Sequence, residues 1–258
     1  MVVEQAGDMK KRQRLSTAQA SRAYREALRY QQGDTVARDW KKAFRLMSEA
    51  AASGHTKAQS ALGSYYDYGV GVRRSRTKAL AWYEVAARAG DADAQLNVGL
   101  CYRDGIGTQA NPRTAVRWFK ASAERGTPEA LHALGVAYRH GRGVRKAPAI
   151  GFELVKRAAA AGYAEAQFSM GVCLSRGEGT VVDPRGAFKW FLRAAKQEHD
   201  DAAYNVALFY EEGKGVPRNL RSAARWYKAA LALGQTDAKA ALDRLSRLRP
   251  SNGRDQRA

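Results

Sequence analysis

Three groups of residues in this chain have types and spacings that could do chemistry. The stretch YDYGVGVRRSRTK, Tyr66–Lys78, puts a Gly-x-Gly ahead of four basic residues. That combination cradles phosphate when it follows a strand and opens a helix. Inside it, Ser75-Arg76-Thr77-Lys78 has the Ser-x-x-Lys spacing of penicillin-recognising enzymes, with a serine nucleophile one turn before a lysine. His55, His132, His140, His199, Cys101 and Cys173 complete the set as candidate metal ligands.

Each reading has a structural competitor. The serine lacks the Lys-Thr-Gly and Ser-Asp-Asn motifs that accompany it in such enzymes, and it stands where a helix N-cap belongs. No histidine has an H-E-x-x-H or C-x-x-C context, and His132 and His140 are eight residues apart, too far to chelate one ion from one helix face. The expectation is a non-enzyme with no catalytic residue, no metal site and no cofactor. The glycine loop is decided by whether it occurs once or many times.

It occurs many times. Ala58, Ala94, Ala130, Ala166, Ala202 and Ala238 stand 36 residues apart, and the same step joins Gly63, Gly99, Gly135 and Gly171, with Ala207 next. It also joins Gly69, Gly105, Gly141, Gly177 and Gly213, and then Trp82, Trp118, Leu154, Trp190 and Trp226. Six copies fill 22–237 without a gap: 22–57, 58–93, 94–129, 130–165, 166–201 and 202–237. The Gly-x-Gly loops therefore read as repeated turns that need positive φ, and no strand pattern precedes them.

Within a copy the apolar spacing is helical twice over. Ala58, Leu62, Gly63 and Tyr66 share one face, and Ala79, Trp82, Tyr83 and Ala86 share another. The small residue at Gly63 lets a neighbouring helix approach, and Trp82 and its equivalents are expected to fill the gap alongside. Asp39, Ser75, Asn111, Ala147, Asp183 and Asn219 fall where the second helix starts, five of them good N-cap types. Pro112, Pro148 and Pro184 follow at the first helical position. The fold class is all-α: an α/α solenoid of six helix pairs, followed by a capping helix at 238–249 with a polar outer face. Residues 1–21 form a basic, largely disordered arm running into the first helix, and 250–258 a disordered tail.

The pattern AQLNVGLCYRDGIGTQANPRTAVRWFKASAERG, Ala94–Gly126, resembles the Sel-1-like repeat, a relative of the tetratricopeptide repeat with a longer loop. The resemblance implies a superhelical adaptor or scaffold without catalysis of its own. Departures are local: Leu154 for the aromatic, Ala207 for the glycine, and Glu198 where a C-capping glycine is usual. Cysteine-rich secreted members pair two cysteines within each repeat. This chain has Cys101 and Cys173 in different repeats, and both are expected to be unpaired and inert.

The totals set the partners. With 258 residues, 45% apolar and 27% charged, the chain is of globular type, and its net charge of +19 attracts anionic partners. No run of 18 apolar residues and no signal peptide is present, so a cytoplasmic protein without membrane insertion is expected. Richness in alanine and arginine hints at a bacterial source.

Two surfaces are candidates for binding a protein partner, a peptide or helix. The first helix of each pair should line a concave groove, with Leu96, His132, Phe168 and Tyr204 as anchors and Arg103, Arg139 and Arg176 as charge partners. The competing reading is that the anchors only pack against the next repeat. The second surface is a basic edge of Arg73, Arg74, Arg76, Arg142, Arg145, Lys146, Arg218 and Arg221. It suits an acidic polypeptide or, as the alternative function, nucleic-acid phosphates, although no nucleic-acid-binding motif is present.

Overall fold

The computed structural model describes residues 14–247 and places thirteen helices there, with no strand among the described residues. They are α1 (Thr17–Gln32), α2 (Trp40–Ala52), α3 (Thr56–Tyr68), α4 (Arg76–Arg88), α5 (Ala92–Asp104), α6 (Pro112–Glu124) and α7 (Pro128–His140). Then follow α8 (Pro148–Ala160), α9 (Ala164–Arg176), α10 (Pro184–Ala195), α11 (Asp200–Glu212), α12 (Leu220–Ala232) and α13 (Asp237–Arg247). The arm's last five residues already belong to α1, while 1–13 and 248–258, which include the predicted tail, lie outside the described residues.

The chain forms two compact units. One ends at Ala130 and also includes Arg142–Val144; the other holds Leu131–Gly141 and everything from Arg145 on. Each is built of antiparallel helix pairs packed on the next pair.

Capping explains where the second helices begin. Asp39, Ser75, Asn111, Asp183 and Asn219 each accept a hydrogen bond from the backbone N–H three residues on, and Ala147 alone caps without a side chain. Ser75 Oγ accepts from the Lys78 amide at 3.4 Å, which is the structural job of the Ser-x-x-Lys motif.

The first glycine of each Gly-x-Gly ends a first helix in the left-handed conformation, as at Gly69 (φ 77°), whose N–H donates to the Tyr65 carbonyl. The second glycine lies against the preceding repeat: a Cβ on Gly107 would collide with the backbone of Arg76, and one on Gly179 with that of Pro148. The Gly69 and Val70 amides donate to the Tyr65 carbonyl and the Ser75 amide to that of Tyr66, and the second glycines serve close approach. The loop has a structural role in every repeat.

The core corrects one expectation. The residue filling the space at Gly63, Gly99 and Gly171 is not the tryptophan but the residue after it. Cβ atoms on these glycines would stand 2.5 Å from the rings of Tyr83, Phe119 and Phe191. Those three are buried, with Tyr227 in the same repeat position, whereas Trp82, Trp118, Trp190 and Trp226 are half-buried. Consecutive helical residues point about 100° apart. Only one of the pair can face the glycine, and the other covers the flank.

Candidate functional site

Among the first-helix anchors, Phe168 and His132 are joints to the next repeat, and Tyr204 packs within its own. In the second unit, Phe168 lies 4.6 Å from the His199 ring and 5.7 Å from Phe191. His132 lies 5.6 Å from the Tyr163 ring and exchanges a 2.9 Å hydrogen bond with Ser169. Tyr204 meets Tyr227 at 5.3 Å. Tyr24 stacks on His55 at 4.6 Å in the first unit, where Leu96 is half-buried. Phe168, His132 and Tyr24 each meet the residue that opens the next first helix. These side chains support repeat stacking and present only their remaining surface to solvent.

The residues that open first helices were missed by sequence reasoning. His55 and His199 are N-caps: each accepts a backbone N–H on Nδ1, as Asp91 does on its carboxylate. Histidine is not a common cap, so only its repeat position could have revealed the role. His199 Nε2 also lies 3.1 Å from Glu165 in the preceding first helix. Burial works against the imidazolium charge, but Glu165 together with Asp200 and Asp201 outweighs it and raises the pKa. The same contact holds the Glu165 carboxyl below its ordinary value.

The three first-helix arginines have different surroundings. Arg103 is exposed and makes two 2.7 Å hydrogen bonds to Asp104. Arg176 is exposed and sits 3.6 Å from Glu178. Arg139 is buried, at 8% exposure, and its guanidinium pairs with Glu178. It is not available as a surface charge partner.

The cause is a local change of template. The ring found at this position in four of the other repeats is here Val155, and Gly151 replaces the usual alanine. A Cβ on Gly151 would stand 2.6 Å from Arg139 Cγ, so the arginine stem occupies the vacated space. Its Nε is buried without a hydrogen-bond partner. Hydrogen bonding from Arg139, with Arg176 nearby, lowers the Glu178 pKa.

All eight residues of the basic edge are exposed: Arg73, Arg74, Arg76 and Arg142 in the first unit, and Arg145, Lys146, Arg218 and Arg221 in the second. Two have a structural task. Arg74 Nε donates to the Asp67 carbonyl at 2.5 Å and Arg218 Nε to the Glu211 carbonyl at 2.9 Å, capping the ends of α3 and α11. Arg73, Arg76, Arg142, Arg145, Lys146 and Arg221 form no ion pair among the described residues.

These cations stand around helix N-termini, which carry about +0.5 of an elementary charge from the macrodipole. None of α2, α4, α6, α8, α10 and α12 has an acidic residue in its first turn, whereas α5, α7, α9 and α11 do. The second helices thus concentrate basic side chains where the backbone is already positive. That arrangement costs stability, except at α2 and α10, whose N-caps are the carboxylates of Asp39 and Asp183.

The other candidate groups have no such setting. Cys101 and Cys173 are buried free thiols, and burial raises both pKa values, Cys101 to about 11. Such thiols are poor nucleophiles at neutral pH. No helix among the described residues is long and apolar enough to cross a membrane.

Stacked helix pairs with glycine-turn loops define an α/α solenoid repeat protein. The Sel1 repeat model matches residues 18–55, 56–91, 92–127, 128–163, 164–199 and 200–235, so the chain belongs to the Sel1 repeat family. A protective antigen of uropathogenic Escherichia coli with an SLR fold is similar at 26% identity and a TM-score of 0.83, over 97% of this chain and 53% of that one. The chain therefore spans about half the length of that relative. A Sel1 repeat protein from Oxalobacter formigenes is 28% identical with a TM-score of 0.78, over 83% of this chain and 86% of that one. An immunity protein from Pseudomonas aeruginosa shares the fold at 24% identity and a TM-score of 0.53, covering 90% of this chain and 88% of that one. No curated protein sequence matches the chain. Sel1 repeat proteins generally serve as non-catalytic scaffolds for protein–protein interaction.

Proposed function

We propose that this protein is a non-catalytic scaffold whose partner is an acidic polypeptide, held within each unit by the basic N-terminal ends of that unit's second helices. The observation that carries this reading is that those ends hold Arg73, Arg76, Arg145, Lys146 and Arg221 without ion pairs and lack acidic first-turn residues. Carboxylates arriving there meet guanidinium donors and helix dipoles together. Arg103 in the first unit and Arg176 in the second offer further cations, and the solvent-facing parts of Leu96, His132, Phe168 and Tyr204 add apolar contact. Arg139 takes no part.

The alternative is a protein that binds nucleic-acid phosphates through the same edge, favoured by the net charge of +19. Fluorescence anisotropy of an Asp/Glu-rich peptide and of random duplex DNA and RNA, each titrated with salt, separates the two. The proposal expects peptide binding that falls when Arg73, Arg76, Arg145 and Arg221 are changed together to serine. Duplex binding that is tighter than peptide binding at about 0.15 M salt would reverse the ranking.

A further inference from the structure

The basic edge of the second unit is interrupted by an apolar patch. The loop pair that is Ala37-Arg38, Arg73-Arg74, Gln109-Ala110, Arg145-Lys146 and Pro217-Arg218 in the other repeats is Val181-Val182 in the fifth, the one copy with two large apolar residues there. The two valines are 80% and 58% exposed. On α8, Ile150 is 51% exposed at a position held elsewhere by Lys42, Lys78, Thr114, Gly186 and Ser222. These departures from the repeat are not scattered. Gly179 lies directly against the backbone of Pro148 and Ala149, so the loop with both valines rests on the helical turn that carries Ile150.

The charges around the patch are of one sign in effect. Arg145, Lys146, Arg185 and Lys189 are exposed and make no ion pair among the described residues. The local carboxylates are engaged: Asp183 caps α10, Glu178 pairs with Arg139 and Arg176, and Glu153 pairs with Lys156. An exposed apolar cluster inside a polar, cationic rim has the core-and-rim layout of an interface.

We propose that Val181, Val182 and Ile150 form a docking site for the aliphatic or aromatic side chain of an acidic peptide segment, with Arg145, Lys146 and Arg185 receiving its flanking carboxylates. The site rests on the scaffold reading above and gives that partner a chemistry: an apolar anchor within a run of Asp and Glu. A second copy of this chain fits less well, because it would bring an equally basic rim against this one. Duplex nucleic acid offers charge but no apolar anchor.

The chain has two isoleucines, Ile106 and Ile150, so selective isoleucine-methyl labelling gives one reporter in the patch and one beside the first turn of α4 in the other unit. The full chain is titrated with an Asp/Glu-rich peptide carrying a central Leu-Phe-Leu, with the same peptide carrying serines there, and with duplex DNA. Anisotropy records binding independently of the site.

The expected result is a saturable shift of Ile150 with the Leu-Phe-Leu peptide that is lost with the serine peptide, and about tenfold weaker binding for the serine peptide and for Val181→Ser/Val182→Ser. The inference is overturned if Ile150 stays still while anisotropy shows binding, a result that leaves the scaffold reading standing. It is equally overturned if the serine peptide binds as well, if duplex DNA moves Ile150 with higher affinity, or if sedimentation shows a dimer that Val181→Ser/Val182→Ser dissolves. Absence of any peptide binding by anisotropy defeats the acidic-partner reading and the docking site together.

Discussion

Arg139 and Glu178 form an ion pair whose two ends should respond unequally to mutation. The Arg139 side chain is 7% exposed and Glu178 is 32% exposed, so the arginine bears most of the desolvation. Its Nε already lacks a partner. Glu178→Gln would leave a nearly buried guanidinium without its counter-charge. Breaking a fully buried pair costs about 3–5 kcal/mol, and the partial exposure of Glu178 brings the expectation to roughly 2–3 kcal/mol. Arg139→Met removes the charge while keeping an unbranched chain beside Gly151, and apolar replacement of this kind is often close to neutral, so a loss of about 1 kcal/mol or less is expected.

The double variant should resemble Arg139→Met alone. Urea unfolding of the three variants, with hydrogen exchange in α7 as a local readout, makes the comparison. The pH dependence gives a second check. The Glu178 pKa is depressed in the fold, so its contribution is present above the unfolded carboxylate value and disappears as pH falls through the folded one. The penalty of Glu178→Gln should therefore shrink in acid. The reasoning is refuted if Arg139→Met is the more damaging change, because then attraction within the pair, and not neutralisation of a buried cation, would be what matters.

Three other outcomes follow from single residues. Ala147→Asp should supply the one missing second-helix cap, raising stability by about 1 kcal/mol in thermal unfolding, as the equivalent Asp183 caps the Gly186 amide. Glu198 has φ 62° where Gly54, Gly90, Gly126, Gly162 and Gly234 have positive φ, so Glu198→Gly should stabilise by about 0.5–1 kcal/mol, read as a higher Tm. His199 has a raised pKa in the fold, so its bond to Glu165 stabilises most below the ordinary histidine value and weakens as pH rises through the folded one. The loss of Tm caused by Glu165→Gln should accordingly be larger at pH 5.5 to 6 than at pH 8, a test made by scanning calorimetry at about those values.

Much of this was legible in the sequence because a repeat reports each feature several times. The N-caps Asp39, Ser75, Asn111, Asp183 and Asn219 could be read because side-chain type and position agreed in copy after copy. The identity of the gap-filling residue could not. Trp82 and Tyr83 are adjacent and both apolar, and periodicity does not separate neighbours that both lie within a wide apolar stripe. The buried Arg139 was hidden for another reason: its repeat position is exposed in Arg103, and only the joint change to Gly151 and Val155 made room for it. Exposure of Val181 and Ile150 was likewise invisible, since an apolar residue in a sequence is first assumed to be inside. For the anchors Leu96, His132, Phe168 and Tyr204 the sequence supports both a groove and a packing role. The ring contacts of Phe168, His132 and Tyr204 show its packing role, and for that reason alanine at Phe168 or Tyr204 would confound binding with stability.

The central claim is that an acidic polypeptide docks on the N-terminal ends of the second helices. Hydrogen exchange of the full chain, with and without a saturating Asp/Glu-rich peptide, tests it most directly, because first-turn amides lack intrahelical partners and exchange readily until something covers them. The account predicts slowed exchange in the first turns of α4, α8 and α12 and in the loops that precede them, and its loss in the Arg73→Ser/Arg76→Ser/Arg145→Ser/Arg221→Ser protein. Protection confined to the first helices, or none at all with the peptide bound, would contradict it.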